Sequence, residues 1–120
     1  MILIRSLYLV LLIGIDALDA QAYYTAKQAA SHIGEKITVC GKVASSIFLH
    51  KSRSKITLLN IDKPYPDQIF TVVIPYKSRI KFIRPEVQFL NKEICITGSV
   101  TIYKRTPEII VYDPDQIQKK

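Results

Sequence analysis

Apolar and polar residues alternate along two stretches of the chain that share one further feature. In Ile37-Thr38-Val39-Cys40-Gly41-Lys42-Val43 one parity carries Ile, Val, Gly and Val; in Ile94-Cys95-Ile96-Thr97-Gly98-Ser99-Val100 one parity carries Ile, Ile, Gly and Val. A period of two marks a strand with one buried face. Glycine weakens a strand interior and marks a bulge, a bend or a close backbone approach. Each stretch therefore predicts a strand that bends at its glycine and leaves room on the inner side of the bend.

The same reading extends along the chain. Thr25 and Gln28 have the spacing of a capping box, opening a short helix over "AKQAASHI" that Gly34 can close. "EKITVCGKVASSIFLH" is then one long strand, followed by the polar basic loop "HKSRSK". "ITLLNI" and "QIFTVVIP" are two further strands, separated by Asp62-Lys63-Pro64-Tyr65-Pro66-Asp67, where two prolines enforce a loop. "YKSRIKFIRPEVQFLNK" lacks strand alternation and places Pro85 at a helix start, predicting an irregular basic segment and then one or two helical turns over Pro85–Leu90. "EICITGSVTIY" is a fourth strand, Lys104-Arg105-Thr106-Pro107 a turn, and "EIIVYD" a fifth strand that Pro114 ends. The expectation is an all-β chain with short helices: a five-stranded OB-fold Greek-key barrel with a helix between its third and fourth strands, preceded by a short helix. The first and fourth strands are neighbours in such a barrel and must coil around a small interior, where a missing Cβ helps. A small β-sandwich is the alternative.

The N-terminal stretch reads differently. "MILIRSLYLVLLIGIDALDAQA" has Arg5, an apolar run from Leu7 to Ile15, and small residues at Ala20 and Ala22, the pattern of a signal peptide ending at residue 22. Asp16 and Asp19 stop the run short of the roughly 20 apolar residues a spanning helix needs. The expected mature chain is a single domain over residues 23–120, exported to a periplasmic or extracellular location, with no membrane span after cleavage. Removing the leader raises the formal charge from +7 to +8. A small domain with that field favours anionic partners: nucleic acid, acidic polysaccharide or a membrane surface.

The phrases "HIGEKITVCGKV", "LLNIDKPYP", "FTVVI" and "NKEICITGSVTIYKRTPEIIV" resemble secreted bacterial OB-fold domains, similar to those that accompany the catalytic parts of some extracellular sugar-nonspecific nucleases. The resemblance covers about residues 27–117. It implies an OB barrel and, by association, nucleic-acid binding.

Catalytic chemistry finds little to work with. His50 has basic and serine neighbours in its loop but no carboxylate beside it, and His32 falls at a helix end. Asp62 and Asp67 flank the proline loop, where turn aspartates cap backbone amides more often than they bind a cation. The expectation is a non-enzyme with no cofactor and no metal. Cys40 and Cys95, the only cysteines, have parity opposite to the apolar set of their strands and project outward. If the two strands pair antiparallel in a suitable register, a cross-strand disulfide can form; two free thiols are the alternative.

OB-folds bind on the outer face of their second and third strands, framed by the first inter-strand loop and the last turn. Those positions here carry Lys51, Arg53 and Lys55, and Lys104 and Arg105, with Tyr65 and Tyr103 as candidate stacking platforms. Lys77 and Arg79, with Lys81 and Arg84, extend the basic track. The expected partner is single-stranded DNA or RNA, or another polyanion. The alternative is a periplasmic protein-interaction or envelope-stress module with an envelope protein as partner.

Overall fold

The computed structural model describes residues 22–120, so the signal-peptide reading falls, apart from Ala22, outside the described residues. Strand β1 (Tyr23–Thr25) runs parallel to the first half of the long β2 (Lys36–Phe48). β3 (Thr57–Ile61) and β4 (Phe70–Ile74) follow in antiparallel succession. Two single-turn helices, α1 (Tyr76–Arg79) and α2 (Pro85–Gln88), lead into β5 (Glu93–Tyr103). A tight turn then gives β6 (Thr106–Ile110), and a short 3-10 turn precedes β7 (Ile117–Lys119). The sheet order is β1-β2-β3-β4-β6-β5-β7, and an additional β2–β5 pairing brings the sheet back on itself as a partial ring.

β2 to β6 overlap the five expected strands, but the sheet has seven, and β6 starts at Thr106, inside the expected turn, and ends at Ile110, before the expected Val111-Tyr112-Asp113. β1 and β7 are three-residue pieces added alongside β2 and β5, too short for an alternating pattern to register in the sequence. The expected first helix is a 3-10 turn over Lys27–Ser31. Its capping box forms as read: the Gln28 amide donates to Thr25 Oγ1 at 3.2 Å and the Thr25 amide donates to Gln28 Oε1 at 2.9 Å. Pro85 opens α2 as the pattern requires, whereas α1 occupies part of the segment expected to be irregular.

β2 has to serve two partners. Lys36 to Lys42 pair antiparallel with β5, and the strand then shifts register between Val43 and Ser45 before pairing with β3. Gly41 and Gly98 both lie in the β5-paired part, opposite Ile94 and Ile37. A Cβ at Gly41 would sit 2.5 Å from Ile61 Cγ2, and one at Gly98 would sit 2.6 Å from Ile109 Cγ2. The glycines thus admit methyl groups from β3 and β6 across the curled sheet. Leu59, Ile61, Phe70, Ile74, Ile94, Ile96 and Ile109 fill the interior with no solvent contact.

On the outward parity of the same ladder, Cys40 and Cys95 are direct cross-strand partners and are joined in a disulfide, closing a sequence separation of 55. Antiparallel pairing in this register is the condition the sequence left open.

Two outcomes test this account. Gly41→Ala and Gly98→Ala should each lose about 1–3 kcal/mol in urea unfolding, the usual cost of overpacking a filled core; a loss under about 0.5 kcal/mol would mean that Ile61 or Ile109 yields freely. The double variant Cys40→Ala/Cys95→Ala should lose up to about 4 kcal/mol, the loop-closure value for that separation.

Candidate functional site

The outward parity of β3, β4 and β6 forms the floor of a groove of about 530 Å³. Leu58 and Asn60 come from β3, Thr71 and Val73 from β4, and Thr106 and Glu108 from β6. Register sets them side by side, with Leu58 opposite Val73, Asn60 opposite Thr71, and Thr71 beside Glu108. The walls come from three connections: Leu49 and Ile56 from the ends of the β2–β3 loop, Tyr65 and Gln68 from the β3–β4 loop, and Tyr103 with Lys104 from the β5–β6 turn.

A buried polar chain fixes one wall. Ser45, at the irregularity in β2, accepts from the Tyr65 amide and from Asn60 Nδ2, both at 3.0 Å. Thr71 Oγ1 in turn donates to Asn60 Oδ1 at 3.3 Å. Asn60 and Thr71 are buried, so these bonds satisfy groups that would otherwise be costly to desolvate. They also hold the Pro-Tyr-Pro loop against the sheet, leaving the Tyr65 ring 73% exposed.

Another wall rests on an unusual turn. Lys104 and Arg105 both have positive φ, at 46° and 69°. Two-residue hairpin turns of this kind favour Asn-Gly, because a left-handed conformation costs roughly 1–2 kcal/mol at an ordinary L-residue. Tyr103, 51% exposed, precedes the turn, and Lys104 Nζ lies 5.4 Å from its ring centroid.

The groove's electrostatics are divided. Burial pushes the Glu108 carboxyl above its usual range, so charge on the floor is disfavoured. Gln68 Oε1, in the wall, is buried without a hydrogen-bond partner. The cations stand at the margins. Lys51, Arg53 and Lys55 are exposed in the β2–β3 loop, which Ser52 braces by donating to the Leu49 carbonyl and accepting from the Lys55 amide. Lys55 leans toward α1, its Nζ 5.4 Å from the Tyr76 ring. Arg105 is exposed at the turn.

The structure therefore brings Tyr65, Tyr103 and Lys104 to one groove and places Lys51, Arg53 and Arg105 in the connections that frame it. Lys77 and Arg79 lie elsewhere, on α1. Lys77 is exposed, but Arg79 is fully engaged. Its two terminal nitrogens reach the two Glu86 oxygens at 2.5 and 3.0 Å, Nη1 also donates to Thr57 Oγ1 at 3.1 Å, and the guanidinium lies 3.7 Å from the Phe48 ring centroid. Asp62 caps a backbone amide, though one in β2 and not in its own loop: its Oδ1 accepts from the Lys42 amide at 3.1 Å. Sequence reasoning missed Glu108, Asn60 and Gln68 as groove residues. Parity against the buried Ile109 and Leu59 was the available signal for Glu108 and Asn60.

No family model matches the chain, and no curated protein matches it. Among solved structures it is similar to a chain from an OBody bound to hen egg-white lysozyme, at 17% identity, 83% of this chain, 93% of that chain and a TM-score of 0.56. It is also similar to a putative aspartyl-tRNA synthetase from Leishmania major Friedlin, at 8% identity and a TM-score of 0.51, covering 84% of this chain and 21% of that one. Identities this low speak to the fold alone.

The Arg79–Glu86 pair gives a pH signature. Hydrogen bonding from Arg79 holds the Glu86 carboxyl below its ordinary value of 4.5. A depressed carboxylate contributes stability above its unfolded pKa and loses it as pH falls through the folded one. Glu86→Gln should therefore cost about 1.5–3 kcal/mol at pH 7. The gap from the parent should close as pH falls below 4.5, read as unfolding free energy against pH; a gap that stays constant would assign the loss to packing.

Proposed function

We propose that the curled sheet is an OB-fold and that the chain is an exported, non-catalytic module binding single-stranded nucleic acid, or a related polyanion, in the groove over β3, β4 and β6. The observation that carries this reading is the pair of exposed tyrosines, Tyr65 and Tyr103, which both line a groove framed by cationic connections. The order of β2 to β6, with helical turns between β4 and β5, agrees with an OB-fold. So does the position of the groove, on the strand face and between the loops that OB-folds use for oligonucleotides. The disulfide suits an oxidising, exported setting.

The chemistry follows from the division of charge. Bases offer flat faces to Tyr65 and Tyr103, each stack contributing roughly 1–3 kcal/mol. Phosphates are turned outward to Lys51, Arg53, Lys104 and Arg105, because the cations stand in the connections and the floor, with Leu58 and Val73, holds none. A neutral Glu108 donates one hydrogen bond, and an ionised one accepts from exocyclic amino groups. The Lys104-Arg105 turn is consistent with this use: it keeps two cations where a more relaxed Asn-Gly pair would remove them.

A protein partner is the second reading, favoured by the apolar part of the lining, Leu49, Ile56, Leu58 and Val73. The OBody, of similar fold, is itself bound to a protein.

Fluorescence anisotropy with labelled single-stranded DNA across a salt series, with heparin as competitor, separates the readings. Binding should be steeply salt-dependent, Tyr65→Ala and Tyr103→Ala should each weaken it about 5- to 100-fold, and Lys104→Ala should flatten the salt slope. If the tyrosine variants bind as the parent does, or nothing binds at low salt, the nucleic-acid reading fails and the protein partner stands.

A further inference from the structure

Ile80 and Ile83 are each 84% exposed, the most exposed large apolar side chains among the described residues. They belong to the connection between β4 and β5 and line one shallow depression with Phe48, Tyr76 and Phe82. That depression shares no residue with the groove described above.

The connection that presents them is held firmly in place. Ser78, Pro85 and Phe89 are buried beneath it, and Phe82 meets Phe89 edge-on at 6.1 Å between centroids. The Arg79–Glu86 pair ties α1 to α2, its side chains only 16% and 18% exposed. Successive turns, Lys81 to Ser78 and Phe82 to Arg79, carry the backbone around Ile80. Two isoleucines on a braced loop stay in water because of how the loop is built, and such a patch on a soluble surface marks an interaction site.

The charges around it select the partner. Lys77, Arg79, Lys81 and Arg84 interleave with the apolar residues, and Lys55 lies over Tyr76 beside them. Among the described residues two carboxylates offset them: Glu86 on Arg79, and Asp113, 3.6 Å from Lys81. Among the described residues Lys77 makes no ion pair, and Arg84 feels the Glu86 charge without pairing with it directly. A flat partner that offers both a dense array of anions and an apolar layer just below it matches this arrangement, and an anionic phospholipid bilayer has that composition. A protein acceptor would need an apolar socket ringed with carboxylates, which nothing else in the arrangement calls for.

We infer that the Ile80/Ile83 loop docks the protein on an anionic membrane surface, the isoleucines entering the headgroup boundary while Lys77 and Arg84 contact lipid phosphates. Two aliphatic side chains give shallow, reversible attachment, so the cations are needed for it to persist.

The chain has no tryptophan, which allows a local readout in the full-length protein. Ile83→Trp places one reporter in the loop without disturbing the core, and Tyr65→Trp places one in the groove as a control. On phosphatidylglycerol-containing vesicles the Ile83→Trp emission should shift to the blue and be quenched by brominated acyl chains. On pure phosphatidylcholine vesicles it should stay aqueous, and the Tyr65→Trp emission should stay aqueous on both. Adding Lys77→Ala and Arg84→Ala should weaken the response by at least about tenfold, as should raised salt. An aqueous Ile83→Trp signal on anionic vesicles overturns the inference, and so does an equal shift on both lipids. Nucleic-acid binding by the groove is unaffected by either result.

Discussion

β2 pairs with β5 along its first half and with β3 along its second, and everything else in the fold depends on its turning between the two. The turn is crowded. The interior it encloses is filled by side chains such as Ile61 and Ile109, whose methyl groups occupy the space a Cβ would take at Gly41 and Gly98. The opposite face of the same ladder carries Cys40 and Cys95. The segment is therefore hollowed on its inner parity and stapled on its outer one within adjacent residues. Both devices serve the β2–β5 pairing, the contact that curls an open sheet into a partial ring. That curvature turns the outer parity of β3, β4 and β6 into a groove floor.

This division explains what was legible in the chain. Alternation marked β2 to β6 because each is long enough to bury one parity, and the repeated glycine marked the bend. β1 and β7 were invisible for the opposite reason: Tyr23–Thr25 and Ile117–Lys119 attach by backbone bonds and bury little. The 3-10 turn after β1 shows a related limit. Its capping box is local chemistry and was readable, but its 3-10 winding carries no sequence pattern that separates it from one α-helical turn. The disulfide lay between these cases, since parity gave its direction and only the tertiary register could give its pairing.

The site was legible in part. Loop composition identified the tyrosines and cations, yet it treated every cation as equivalent. Arg79 and Lys77 are two residues apart in a basic run, but the first is locked between Glu86, Thr57 and Phe48 while the second faces water. Glu86 lies seven residues beyond Arg79, two turns apart had the segment been one helix, but the two residues sit on separate single-turn helices and the chain turns at the left-handed Arg84 between them. Ion pairs formed across such turns cannot be read from charge patterning, which sees neighbours only at regular spacings.

The groove floor and the net charge bear on a ligand in different ways. A field of +7 attracts any polyanion at long range. At contact, the floor offers Leu58, Val73 and a carboxyl that burial biases toward its neutral form, so no cation there pairs with an anion. A ligand charged on every face, such as a heavily sulfated polysaccharide, would have to place some of that charge against Glu108. A single-stranded nucleic acid can turn uncharged bases inward and keep its phosphates at the rim, where Lys51, Arg53, Lys104 and Arg105 stand. Long-range attraction and short-range fit thus select on different properties, and only the second separates nucleic acid from other polyanions.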